Sequence, residues 1–170
     1  MKRLLFAISL LTFPLFVNAQ DFIDELFNKY SGNENFTSIA ISKNLLDFAF
    51  TIEKGNDSNR LKGKISDLRI LVSEHKSDGN LKFTDEIKSE LNKSDYMSLI
   101  EIKDGKTKVN FYVKKNGEKI VHLLLLATEN DQDVLLSLSG EFTMKDLAEL
   151  GKCTKGDGSF HHLTYLRNVK

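Results

Sequence analysis

The sequence predicts an α+β domain: a mostly antiparallel sheet of about six strands, including a C-terminal four-strand meander, with helices packed mainly on one face. Three observations predict it. From Met97 to Glu141, four apolar segments are separated by Asp104-Gly105, Asn116-Gly117 and the polar run from Thr128 to Gln132. Asp-Gly and Asn-Gly are strong hairpin signals, because a type I′ turn needs positive φ at both central residues. Upstream, short apolar segments alternate between the two-residue period of a strand and the three-to-four-residue period of a helix. Finally, Ile120 to Ala127 is apolar on both faces apart from His122, the pattern of a strand covered on both sides or lying centrally in the sheet.

The first residues are set apart from that domain. Lys2 and Arg3 precede an apolar run from Leu4 to Val17, and Val17, Asn18 and Ala19 stand where a signal peptidase reads. This is the pattern of a secretory signal peptide over residues 1–19, cut before Gln20. The run is short for a bilayer span, which needs about 20 apolar residues. The single cysteine, Cys153, is far from the cleavage site, so the chain is expected not to be a lipoprotein. Removing 19 of 170 residues leaves 151, the size of one domain with a sizeable core.

Charge narrows the partners. The 24 basic and 24 acidic residues become 22 and 24 once Lys2 and Arg3 are lost, a net charge of −2. Such a balance offers nothing to attract nucleic acid or an anionic membrane. One cysteine forms no internal disulfide, so the fold must rest on its core even in an oxidising compartment.

In chain order, Phe22, Ile23, Leu26, Phe27 and Tyr30 fall on one side of a short helix with Asp21 at its N-cap and Gly32 as its stop. Phe36 to Ile41 reads as a strand. Ser42 reads as the N-cap of a helix from Lys43 to about Ile52 that packs Leu45, Leu46, Ala49 and Phe50 inward. Glu53 to Arg60 is polar and reads as a loop. Ile65 to Ser73 is a strand with Leu68, Ile70 and Val72 on one face and Ile65, Arg69 and Leu71 on the other. His75 to Asn80 breaks it. Phe83 to Leu91 is a helix with a thin apolar stripe. In the meander, Val109, Phe111 and Val113 oppose Asn110, Tyr112 and Lys114 across the strand. Thr143 to Asp146 resembles a capping box that starts a last helix, with Met144, Leu147, Ala148 and Leu150 inside and Gly151 at its end. The single domain spans residues 20–152. Residues 153–170 form a C-terminal tail with more apolar residues from Phe160 to Val169 than a fully solvated segment carries, open to docking as a short edge strand or a turn of helix.

Three blocks carry a resemblance: Phe27 to Gly32 leading into Phe36 to Asn44, then Val109 to Lys114, then Val134 to Glu141 with the helix after it. Together they resemble the domain of unknown function family numbered 4252, small exported bacterial proteins with a signal sequence or lipoprotein signal. The resemblance runs from about Phe22 to Leu150 and rests on strand and turn patterns. It implies class and location, and brings no activity, cofactor or catalytic residue.

The residue types that carry chemistry have ordinary readings. His161 and His162 are adjacent and so point to opposite faces of a strand, and no Cys-x-x-Cys or His-x-x-x-His spacing occurs, so no metal site is assigned. Cys153 lacks a recognisable nucleophile motif. Glu141, Asp146 and Glu149 gather where a helix N-terminus attracts acids. Gly156 and Gly158 flank an aspartate without the other ligands of a calcium loop. No catalytic residue and no cofactor are assigned. Two features stay as candidates: His122, as the edge of a pocket, and Lys103, Lys106, Lys108, Lys114, Lys115 and Lys119, clustered around two hairpin turns as an interaction patch. The expectation is a periplasmic or envelope-associated protein, a non-catalytic binding or interaction module in envelope signalling or maintenance, with an envelope protein as partner. The alternative is a small-ligand-binding protein or hydrolase with a site near His122.

Overall fold

The helical spacing of Ile23, Leu26, Phe27 and Tyr30 forms α1 (Phe22–Tyr30), which buries all four, in a computed structural model that describes residues 22–52, 61–74, 83–129 and 132–153. Then come β1 (Phe36–Ser42), α2 (Lys43–Ile52), β2 (Ile65–Glu74) and α3 (Phe83–Leu91). The meander follows as β3 (Tyr96–Asp104), β4 (Thr107–Asn116), β5 (Lys119–Glu129) and β6 (Gln132–Phe142), and α4 (Met144–Cys153) closes the described chain. The expected α+β class holds, with six strands in the order β1-β2-β6-β5-β4-β3. Every neighbouring pair is antiparallel, so β1 and β3 are the edges. The expected loop from Glu53 to Arg60, the break from His75 to Asn80 and the tail beyond Cys153 lie outside the described residues. Among the described residues no helix is long and apolar enough to cross a membrane.

The two hairpin turns differ from expectation in type. Asp104 pairs with Thr107 and Asn116 with Lys119, so the central residues are Gly105-Lys106 and Gly117-Glu118. Only the glycines have positive φ, +56° and +61°, and among the described residues no non-glycine does. Glycine at the first central position with an ordinary residue at the second is the type II′ arrangement.

Alternation divides the core between two faces of the sheet. On the first, Leu71, Leu124, Leu126 and Leu135 lie under α1 and α3, which bury Ile23, Leu26, Phe27, Phe83, Ile87 and Leu91. Each such burial contributes about 2 kcal/mol. Tyr30, Phe36 and Phe83 meet as rings with centroids 4.3 to 5.3 Å apart. On the second face Val109, Phe111, Val113, Leu123, Leu125, Leu136 and Leu138 form the core, joined by Leu147 of α4 and by Leu46 and Phe50 of α2. Helical cover is therefore two-sided, with α1 and α3 on one face and α2 and α4 against the other.

Three local readings are corrected. A bulge between Ile65 and Asp67 shifts the alternation by one residue, so Ile65 joins Leu68 and Ile70 on the second face. In α2, Leu46 and Phe50 turn inward while Leu45 and Ala49 are exposed. At 100° per residue, an inward stripe fixed by positions 46 and 50 leaves 45 and 48 off to the side and rear. The last helix runs through Gly151 to Cys153.

Candidate functional site

His122 sits near the start of β5 on the first face. It is 5 % exposed, and both ring nitrogens have partners: Tyr96 Oη lies 2.5 Å from Nδ1 and Ser137 Oγ lies 2.7 Å from Nε2. A bulge between Ile120 and His122 aims the ring between β3 and β6. Phe22 of α1 packs edge-on against Tyr96, 5.6 Å between centroids, so α1 closes over this polar group. Tyrosine, histidine and serine thus form a chain of hydrogen bonds across β3, β5 and β6, on the face of the sheet that α1 covers. A buried polar group satisfied in this way fixes strand register and holds its neighbours in one arrangement.

A cleft of about 470 Å³ opens at the other side of the bulges, where β2, β5 and β6 meet the start of α4. Lys64 bonds Asp146 Oδ1 at 2.7 Å, and Asp146 is 2 % exposed. The other carboxylate oxygen of Asp146 accepts from Thr143 N and Oγ1, both at 2.8 Å, and Thr143 Oγ1 accepts from Asp146 N at 3.2 Å. This is the expected capping box, closed with aspartate. Burial pushes the Asp146 carboxyl up, but the Lys64 and Thr143 hydrogen bonds outweigh it and hold the pKa below the usual carboxylate value. Lys119 pairs with Glu141 on the cleft's rim. With each ammonium facing a carboxylate, the cleft presents little net field to a charged ligand.

The six lysines are not one patch. Lys103, Lys106 and Lys108 lie at the β3–β4 turn, and Lys114, Lys115 and Lys119 at the β4–β5 turn. The two groups stand at opposite ends of β4, about 23 Å apart at 3.3 Å per residue. Lys103 and Lys108 both reach Glu101, at 3.5 and 2.6 Å, and the Lys108 hydrogen bond holds the Glu101 pKa low. The Lys114 ammonium lies 5.7 Å from the Tyr96 ring centre. Among the described residues no group of three or more His, Cys, Asp or Glu side chains comes together to hold a metal ion. His75, His161 and His162 lie outside the described residues, as does the Cys153 side chain.

The feature that sequence reasoning missed is the β1–α2 edge. Thr37, Ser38, Ile39 and Ala40 are exposed in succession, and the strand from Phe36 to Ser42 has no charged residue. Ile39 is 43 % exposed, and beside it on α2 Leu45 is 56 % and Phe48 61 % exposed. Ile39 pairs with Ile70, whose side chain packs on the same face as Leu46 and Phe50, so the exposed residues of strand and helix share that face. The opposite edge is built differently: β3 carries a bulge between Ser98 and Ile100 and the charges of Glu101, Lys103 and Asp104. Bulges and charges keep an edge from pairing with another chain, and β1 lacks both. A signal was present in α2, whose Leu45, Leu46, Phe48, Ala49, Phe50 and Ile52 exceed one apolar stripe.

A family model described as a domain of unknown function (DUF4252) matches residues 30–150. No curated protein and no solved structure matches the chain.

Proposed function

Because the chain belongs to the DUF4252 family across residues 30–150, with a fold whose β1 edge is uncharged and flanked by exposed apolar side chains of α2, we propose that it is an exported envelope protein that acts as a non-catalytic binding module. The binding surface is the β1–α2 edge. The observation that carries this reading is the exposure of Ile39, Leu45 and Phe48, at 43, 56 and 61 %, on one face of one sheet edge. Large apolar side chains grouped at an edge that lacks charges are what a partner covers. The apolar run from Leu4 to Val17 behind Lys2 and Arg3 supports the exported location.

Two measurements test this. N-terminal sequencing of protein recovered from the envelope fraction should begin at Gln20, and protein that begins at Met1 and stays in the cytoplasm would refute export. The immobilised chain should enrich a defined partner from envelope extract, while Phe48→Glu and Leu45→Glu variants should lose at least tenfold of that enrichment. Equal capture by wild type and variants, or no partner bound above a charge-matched control, a second copy of the chain included, refutes binding through this edge.

A further inference from the structure

We infer that the occupant of the β1 edge is β1 of a second copy of this chain, paired antiparallel about a twofold axis at Ile39. This rests on the reading of the edge as a binding surface and names its partner. The seven residues from Phe36 to Ser42 place Ile39 at their centre. Self-pairing about that centre sets Ile39 against Ile39, Thr37 against Ile41, Ser38 against Ala40 and Phe36 against Ser42 of the other copy. None of these pairs joins two charges, so the strand meets itself without the like-charge penalty that usually guards an edge.

The helix selects a second copy over an extended foreign strand. A lone strand would satisfy the free backbone groups of β1 but leave Leu45 and Phe48 in water, because α2 rises from the sheet on the face that holds Ile39. A second copy brings its own α2 to the same side of the twofold axis, and the two helices then cover each other's Leu45 and Phe48. Such an interface is isologous, using the same residues from both chains. It also closes. Growth into a filament would need β1 to pair with β3 of another copy, and the β3 bulge with Glu101, Lys103 and Asp104 opposes that pairing.

The test is sedimentation equilibrium on the purified exported chain, Gln20 to Lys170, at micromolar to tens of micromolar concentration. A mass of two chains is expected. Ile39→Lys and Phe48→Glu should each weaken the dimer at least tenfold, with far-ultraviolet dichroism unchanged, while Met97→Lys on the opposite edge should leave the mass unaltered. A wild-type monomer, an open-ended series of larger species, a dimer that survives both edge substitutions or one lost in Met97→Lys would each overturn the inference. Should a variant fail to fold, hydrogen exchange of the wild type decides: β1 amides should gain protection as concentration rises, and protection independent of concentration would overturn the dimer. A monomer that still captures an envelope partner through Phe48 refutes the second copy and leaves the binding reading standing. A monomer that captures nothing refutes both.

Discussion

Lys64 and Asp146 meet at 2.7 Å and tie the start of β2 to the first turn of α4, two segments separated by 82 residues in sequence. Asp146 serves the ion pair with one oxygen and the cap of α4 with the other, so a single buried carboxylate fixes where α4 leaves the sheet. The neighbouring backbone bond from Glu141 N to Lys64 O, 2.9 Å, reinforces the same junction.

Replacing Asp146 with alanine removes both interactions. Losing the carboxylate's bonds to Thr143 removes half of the capping box and costs about 1 kcal/mol, while Thr143 Oγ1 still accepts from the residue 146 amide; the lost ion pair adds about 1 kcal/mol more because Lys64 is partly solvated. Urea denaturation of Asp146→Ala should show a stability loss of about 2 kcal/mol, and Asp146→Asn, which can still accept at the cap, should lose less.

Stability should also fall in acid through Glu86. This carboxylate accepts from Lys29 Nζ at 2.7 and 2.8 Å and from Tyr30 Oη at 2.6 Å, joining α3 to α1. Burial raises its pKa, but the Lys29 and Tyr30 bonds prevail and hold it below its ordinary 4.5. A carboxylate depressed in the folded state stabilises the protein above its unfolded pKa, and that contribution is lost as pH falls through the folded value. The wild-type denaturation midpoint should therefore drop on acidification from pH 5 to pH 3, and Glu86→Gln should drop less over the same window. At pH 7 the variant should be less stable by about 1 kcal/mol.

Much of the fold was legible because its signals are local. Gly105 and Gly117 mark the hairpins, Val109, Phe111 and Val113 mark a face, and Thr143 with Asp146 marks a helix start. What was not legible depends on long-range pairing. Ile65 moves to the other face only because a bulge opposite Gly140 displaces it. Leu45 is left outside because packing on the sheet selects Leu46 and Phe50 as the inward stripe of α2, a choice its run of apolar residues leaves open. The β1 edge was hidden for the same reason: a short strand's place at the margin of a sheet is decided by β2 pairing with β6, which no local pattern announces. His122 was legible as the polar interruption of a buried strand, while its partners Tyr96 and Ser137 stand 26 and 15 residues away on other strands and are set by the register between them.

Substituting His122 with alanine should act on stability. The change removes a ring that is 5 % exposed, opens a cavity and leaves the buried Ser137 hydroxyl without the imidazole. A loss of about 3 kcal/mol is expected in urea denaturation. Assays of wild type and variant on ester, phosphate and peptide substrates should show no hydrolysis by either. Turnover by the wild type that vanishes in His122→Ala would assign the Tyr96, His122 and Ser137 group a chemical role.

The closest backbone approach around the cleft predicts the most damaging small change. A Cβ on Gly140 would stand 2.1 Å from the Lys64 carbonyl oxygen and 2.6 Å from the Phe142 ring. Phe142 is buried at 1 % exposure, and the Lys64 carbonyl already accepts from Glu141 N, so neither neighbour can move without breaking the junction that positions α4. Gly140→Ala adds one methyl group, yet should cost about 3 kcal/mol by overpacking and lower the melting temperature by roughly 10 °C for a domain of this size. Thermal unfolding followed by circular dichroism measures this directly. An unchanged melting temperature would show that the β2 start and the β6 end separate at little cost, and the same result would reduce the loss expected for Asp146→Ala, since both substitutions act on one junction.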